Sequence, residues 1–271
     1  MTHATQRGLA GAVAAAVLAI AANLAFAQPP GAAPPGLPPL FFKEEWQQRA
    51  LPPNAPPDLV IEGGVTPAAV TNAALELEIY DPNAASVAAY RDKPPTRSRA
   101  GDWGSTSCIQ LGGYNQNPPP KKVAAGQPTD PPNLWTGVCQ TPVAVTLRDR
   151  SSYVDLTGLA RIRWVTRTSG FHVVRPVVKL ADGSWFVGDY AEGAPSSNST
   201  LFLESEFAVS SVRWLALDIA QVVTVGQGWA HPDLSKVDEV GFADLMRGSG
   251  HGWGGFVNVG RIEVYGRRVT R

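Results

Sequence analysis

Cysteine is scarce in this chain. Two among 271 residues cannot build a four-thiolate zinc site or a disulfide-dense mini-scaffold. Charge is scarce as well. Asp, Glu, Lys and Arg make 17% of the chain, and 23 bases balance 23 acids. That balance removes the electrostatic case for a nucleic acid or an anionic membrane surface as partner. Long stretches with a 3.6-residue apolar period are missing, which argues against a helical fold. Missing too are the HExxH, CxxC and GxSxG patterns of common metal, redox and serine-hydrolase sites. The three histidines beyond the N-terminal region, His172, His231 and His251, show no HxH spacing, so no metal is expected. No cofactor is expected either, and no motif specifies a structural Ca²⁺ ion.

What the chain does have is glycine and proline, 27 and 24 residues. They fall into distinct groups. Residues 1–27 read as a signal peptide, with Arg7 in a short basic region, an apolar run from Leu9 to Leu24, and the small-x-small pattern Ala25-Phe26-Ala27. Cleavage there removes one base and no acid. Residues 28–39 form a Pro-rich leader, and residues 40–271 are expected to form one domain. No later run is apolar enough to span a bilayer. The expected location is therefore periplasmic or secreted, with no membrane span after cleavage.

Within 40–271, short alternating runs end at Gly, Pro, Asn or Asp. Leu75–Tyr80, Val143–Leu147, Leu159–Thr168, Thr200–Val209, Val212–Ile219, Glu239–Leu245 and Phe256–Tyr265 read as strands about ten residues apart, the pattern of an antiparallel β-sandwich or jelly roll. Ser169-Gly170 is expected to turn the chain into a hairpin over Phe171–Leu180, and Asp182-Gly183 into a second hairpin through Trp185. Leu40-Phe41-Phe42 with Trp46 is expected to dock on the domain. Asp218–Val225 is read as a short helical turn. The region from Tyr90 to Leu134 is long and irregular. Cys108 and Cys139 flank its Pro-rich part, and in an exported protein they are expected to form a disulfide.

The candidate chemistry follows from charge placement. Arg163 lies on a polar strand face with Arg161 and Arg167. If the next strand is regular, Arg175 and Lys179 share one of its faces. Read together, Arg163, Arg175 and Lys179 would line a concave face able to bind hydroxyls or carboxylates. Glu204 and Glu206 share a strand face by their two-residue spacing. Asp189 and Asp244 end strands. A glycosidase needs two carboxylates across the scissile bond, and these four are the candidates. The alternative is that they pair with the arginines on a solvated surface. His251 sits in a glycine-rich run beside Trp253 and is, with Arg163 and Arg175, a candidate for binding the substrate. Trp185 and Trp253 are candidate sugar-stacking surfaces, whereas Trp164 and Trp214 belong to apolar alternation and are expected in the core.

Val212–Ile219, then Asp233–Phe242, then Gly254–Gly266 resemble the closing strands of galactose-binding-like jelly rolls, including the carbohydrate-binding modules built on that fold. The resemblance covers roughly Tyr153 to Val269. It implies a β-jelly roll and a saccharide ligand. The functional expectation is an exported carbohydrate-active protein that binds a saccharide, its enzymatic form cleaving the glycosidic bond by carboxylate acid/base chemistry. The alternative is a non-catalytic carbohydrate-binding or envelope-associated interaction protein.

Overall fold

A computed structural model describes residues 36–47, 63–65, 67–82, 108–112, 130–137, 139–191, 201–246 and 255–271. The expected signal peptide and most of the Pro-rich leader lie outside these residues, as do His251 and Trp253. From Leu37 to Arg271 the chain is one compact unit.

The strands in chain order are β1 (Leu40–Glu44), β2 (Gly63–Gly64), β3 (Leu75–Tyr80), β4 (Gln110–Gly112), β5 (Asn133–Trp135), β6 (Val143–Asp149), β7 (Ser152–Asp155) and β8 (Arg161–Gly170). They continue as β9 (Arg175–Leu180), β10 (Trp185–Gly188), β11 (Leu203–Ala208), β12 (Trp214–Asp218), β13 (Val223–Ala230), β14 (Val237–Asp244), β15 (Gly255–Tyr265) and β16 (Arg267–Thr270). Two single-turn 3-10 helices, Pro67–Ala69 and Val209–Ser211, are the only helices among the described residues. None is long and apolar enough to cross a membrane.

Every pairing is antiparallel. Among the described residues a seven-stranded sheet runs β11-β8-β15-β5-β4-β2, with β1 on β15. A nine-stranded sheet runs β13-β12-β10-β9-β14-β6-β3, with β7 on β14 and β16 on β7. Alternation explains how they meet. Ile162, Trp164, Thr166 and Thr168 of β8 turn inward, while Arg161, Arg163 and Arg167 turn outward. In β15 the inward set changes from Val257 and Val259 to Ile262 and Val264, because a register shift falls between Val259 and Arg261. Such a bulge restores the alternation to the correct face. One apolar cluster joins these side chains to Val145, Leu147, Val178, Trp214 and Phe242 of the other sheet, so the two sheets share a core. The fold is the expected all-β antiparallel sandwich.

Cys108 and Cys139 form a disulfide across 31 residues. Closing a loop of that size contributes about 3–4 kcal/mol on the chain-entropy account. It secures the short strands β4, inside the region read from sequence as irregular, and β5, which straddles that region's end.

Two local expectations are overturned. The β8 and β9 strands do not form a hairpin, because they belong to different sheets. Apolar alternation marks a buried face but does not say which sheet receives it, and the link over Phe171–Val174 is longer than a tight two-residue turn. The segment Asp218–Val225 is not a helical turn. Asp218 caps the end of β12 by accepting from the Ala220 amide at 2.9 Å, and Val223 opens the edge strand β13. The β9/β10 hairpin forms as expected, with Gly183 at φ +89°, a conformation that favours glycine.

Candidate functional site

The crossing after β8 separates the residues nominated from sequence. Arg163 lies on the outer face of the seven-stranded sheet, whereas Arg175, Lys179 and Trp185 lie on the nine-stranded sheet. The three bases therefore do not share one concave face. Arg163 donates to Glu206 at 2.9 Å and reaches Glu263 at 3.7 Å and Glu204 at 3.8 Å. Arg161 meets Glu206 at 3.2 Å and covers the Tyr265 ring. Arg261 joins Glu204 and Glu263. Glu204 and Glu206 are thus members of a surface lattice of ion pairs, the alternative raised by the sequence. Asp189 is tied to Arg213, accepting from its amide at 2.8 Å and its Nε at 2.6 Å. Burial raises the Asp189 carboxyl, but the bonds from Arg213 outweigh it and hold the group below its ordinary pKa, which suits a clamp rather than a proton donor. Asp244 is buried, accepting from Thr136 Oγ1 at 2.8 Å and lying 2.7 Å from His172 Nδ1. This contact staples the end of β14 to the β8–β9 link, out of reach of a substrate.

A different constellation gathers on the outer face of the nine-stranded sheet. Cross-strand register places Glu78 opposite Thr146, Thr146 opposite Gly241, and Glu239 between Arg148 and Lys179. The Glu239 side chain is 2% exposed. Its Oε1 accepts from Lys179 Nζ at 2.7 Å, and its Oε2 accepts from Tyr80 Oη at 2.9 Å and Thr146 Oγ1 at 2.5 Å. A buried carboxylate is tolerated when a counter-ion and hydrogen bonds satisfy it in this way. The Tyr80 ring meets Trp185 edge-on, with centroids 4.9 Å apart, and Lys179 lies over the Trp185 ring.

That ring contact reveals the shape of the sheet. Tyr80 is on β3 and Trp185 on β10, four strands apart in the order β10-β9-β14-β6-β3. In a flat sheet their backbones would stand about 19 Å apart. Side chains leaning across the sheet cover part of that distance, and concave curvature covers the rest. Beneath the pair lies a small apolar layer of Ala144, Val177, Val187 and Ala243. The result is a curved face with a half-buried aromatic pair on an apolar floor and an oriented polar cluster at its side.

Its electrostatics are nearly balanced. Arg148 pairs with Glu76 and Asp238, Arg271 with Asp238, and Lys179 with Glu239. Glu78 is exposed and makes no ion pair or hydrogen bond among the described residues. Partial burial raises its pKa, and the neighbouring Glu239 and Glu76 carboxylates raise it further. A raised carboxylate pKa means the fold binds the proton more tightly than the unfolded chain, so the resulting penalty is absent in acid and complete above the raised value. Glu78→Gln is expected to stabilise the protein at pH 7 by up to about 1 kcal/mol after solvent screening, with the gain vanishing well below pH 4.5, the ordinary value. Urea midpoints across pH check this; an equal shift at both ends would show that charge crowding is not the cause.

Sequence reading missed Glu239, Glu78, Tyr80 and Thr146. The alternation of Leu75–Tyr80 already placed Glu76, Glu78 and Tyr80 on one face. Their meeting with Glu239 depends on a strand pairing that the sequence does not specify. Among the described residues no group of three His, Cys, Asp or Glu side chains is arranged to hold a metal ion.

No family model matches the chain, and no curated protein matches it. Among solved structures, one described as "Structure of PfGH50B" aligns over 51% of this chain and 20% of that chain, with 7% identity and a TM-score of 0.31. The chain thus spans a fifth of that structure's length, and a likeness at this level has no bearing on the site.

Proposed function

We propose that this protein binds a saccharide on the concave outer face of its nine-stranded sheet. The observation that carries the reading is the Tyr80–Trp185 pair set beside the Glu239–Lys179–Thr146 cluster. Aromatic rings offer an apolar surface for the C–H face of a sugar, and fixed polar groups beside them supply the hydrogen bonds that give specificity. Most charges on this face are already paired, which favours a neutral saccharide over a strongly anionic one.

Glycosidic cleavage is a second reading, favoured by Glu78 alone. Partial burial and the neighbouring Glu239 and Glu76 carboxylates raise its pKa, the direction a general acid requires. Glu239 is less suited to act as base or nucleophile, since three donors already occupy its oxygens. Binding without cleavage is therefore the primary reading.

A glycan array followed by calorimetry on the hits tests it. Trp185→Ala should weaken binding at least tenfold, about 1.4 kcal/mol, without unfolding the protein. An array with no hits, or a Trp185→Ala protein of unchanged affinity, would overturn the reading. Product release lost in Glu78→Gln with affinity retained would establish cleavage.

A further inference from the structure

Asp189, Arg213 and Trp229 form a second built feature, which neither the ion-pair lattice nor the Trp185 site includes. Trp214 pairs with Ala230, and the Trp214 side chain is in the core. Arg213, just before β12, lies between the buried Val212 and Trp214 and so projects to the opposite, outer face, where it meets Trp229 from the irregular stretch of β13 between Val225 and Ala230. This is the same face that carries Trp185 and Lys179. Trp229 is 45% exposed, and the Arg213 guanidinium lies 4.2 Å from its ring centroid. Arg213 is itself fixed. Asp189 binds its amide and its Nε, the Asp189 amide returns a 2.8 Å bond to the Arg213 carbonyl, and Arg175 donates to the Asp189 carbonyl at 3.2 Å. An exposed indole held from one side by an anchored cation is stiff, so little conformational entropy is lost when a ligand stacks on its free surface.

We infer that Trp229 and Arg213 form a distal subsite of the same concave face, and that the ligand is consequently an oligosaccharide chain rather than a single sugar. This inference rests on the saccharide reading. Trp229 on β13 stands two strands from Trp185 on β10, about 10 Å in the hydrogen-bonding direction alone. A chain of several rings laid across β10, β12 and β13 can engage both indoles at once. Arg213 still has guanidinium N–H donors that Asp189 does not use, and they stand beside the Trp229 ring, where ring hydroxyls of a stacked sugar would accept them. Arg175, nominated from sequence as a ligand-binding base, acts here through Asp189 as a positioning residue.

Calorimetry with cello-, xylo- and chito-oligosaccharides of one to six residues, on the wild type, Trp229→Ala, Trp229→Phe and Trp185→Ala, tests the subsite. Wild-type affinity should climb with chain length. Trp229→Ala should abolish that climb, weakening the longest binder about tenfold while leaving the shortest unchanged, and Trp229→Phe should restore part of it. Both Trp229 variants should unfold at the wild-type temperature within error, since that indole is at an exposed edge. If Trp185→Ala weakens the long oligosaccharides and Trp229→Ala does not, the distal subsite is wrong and the saccharide reading stands. If neither variant alters binding, or none of the series binds, both fall together.

Discussion

Glu239→Ala is expected to lower stability by about 3 kcal/mol and to abolish ligand binding at the concave face. The carboxylate is 2% exposed and serves three donors at once. Removing one member of a buried ion pair costs about 3–5 kcal/mol, chiefly because the other charge is left unpaired. Lys179 moderates this. Its side chain is 28% exposed, and Asp238 lies 3.8 Å from Nζ, so the ammonium retains water and a weaker partner. The Tyr80 and Thr146 hydroxyls lie within hydrogen-bonding reach of each other, but losing their shared carboxylate acceptor loosens the Tyr80 ring that borders Trp185. Binding should therefore suffer beyond what the stability change explains. Urea unfolding together with calorimetry at a temperature where the variant remains folded checks both parts. A variant that unfolds at the wild-type midpoint would show that Glu239 is not the hub of the cluster.

A comparable loss, about 3–5 kcal/mol, is expected for Glu44→Ala, far from the proposed site. Glu44 is fully buried and accepts from five donors: the Trp46 and Thr71 amides and Thr71 Oγ1, each at 2.8 Å, the Asn72 amide at 3.1 Å and the Glu45 amide at 3.2 Å. Each buried donor deprived of a partner costs about 1–3 kcal/mol, and water entering the vacated space recovers part of the sum. The carboxylate ties β1 to the segment before β3. It also holds Trp46 at φ +55°, from where the indole donates to the Val259 carbonyl at 2.8 Å. Hydrogen exchange should show β1 opening first in the variant, and Glu44→Gln should lose less because one acceptor remains. Unchanged protection in β1 would contradict the clamp.

These two glutamates show where sequence reading stops. The alternation of Arg161–Thr168 was enough to place Trp164 in the core and the arginines outside. The Asp182-Gly183 turn announced the β9/β10 hairpin. The two cysteines and an export signal pointed to one disulfide. Each of those inferences needs only local periodicity or a count. The pairing of β9 with β14 rather than β8 is non-local, and it decides everything about the site. It sends Arg163 to one sheet and Arg175 to the other, leaves Glu204 and Glu206 balancing arginines, and brings Tyr80, Thr146, Lys179 and Glu239 together from four strands. Glu44 was invisible for a similar reason. Three of its five donors come from Thr71 and Asn72, 27 and 28 residues away in the chain, and no motif marks a carboxylate that binds backbone amides.

The most direct test of a saccharide site on the nine-stranded sheet is a titration of ¹⁵N-labelled protein with the best oligosaccharide from the array, followed through the indole and guanidinium N–H resonances. The Trp185 and Trp229 indole signals should shift saturably, while those of buried Trp164 and of Arg163 on the opposite sheet stay in place. Shifts centred on Arg163 and Arg261, with Trp185 unmoved, would put the ligand on the seven-stranded sheet and contradict the account.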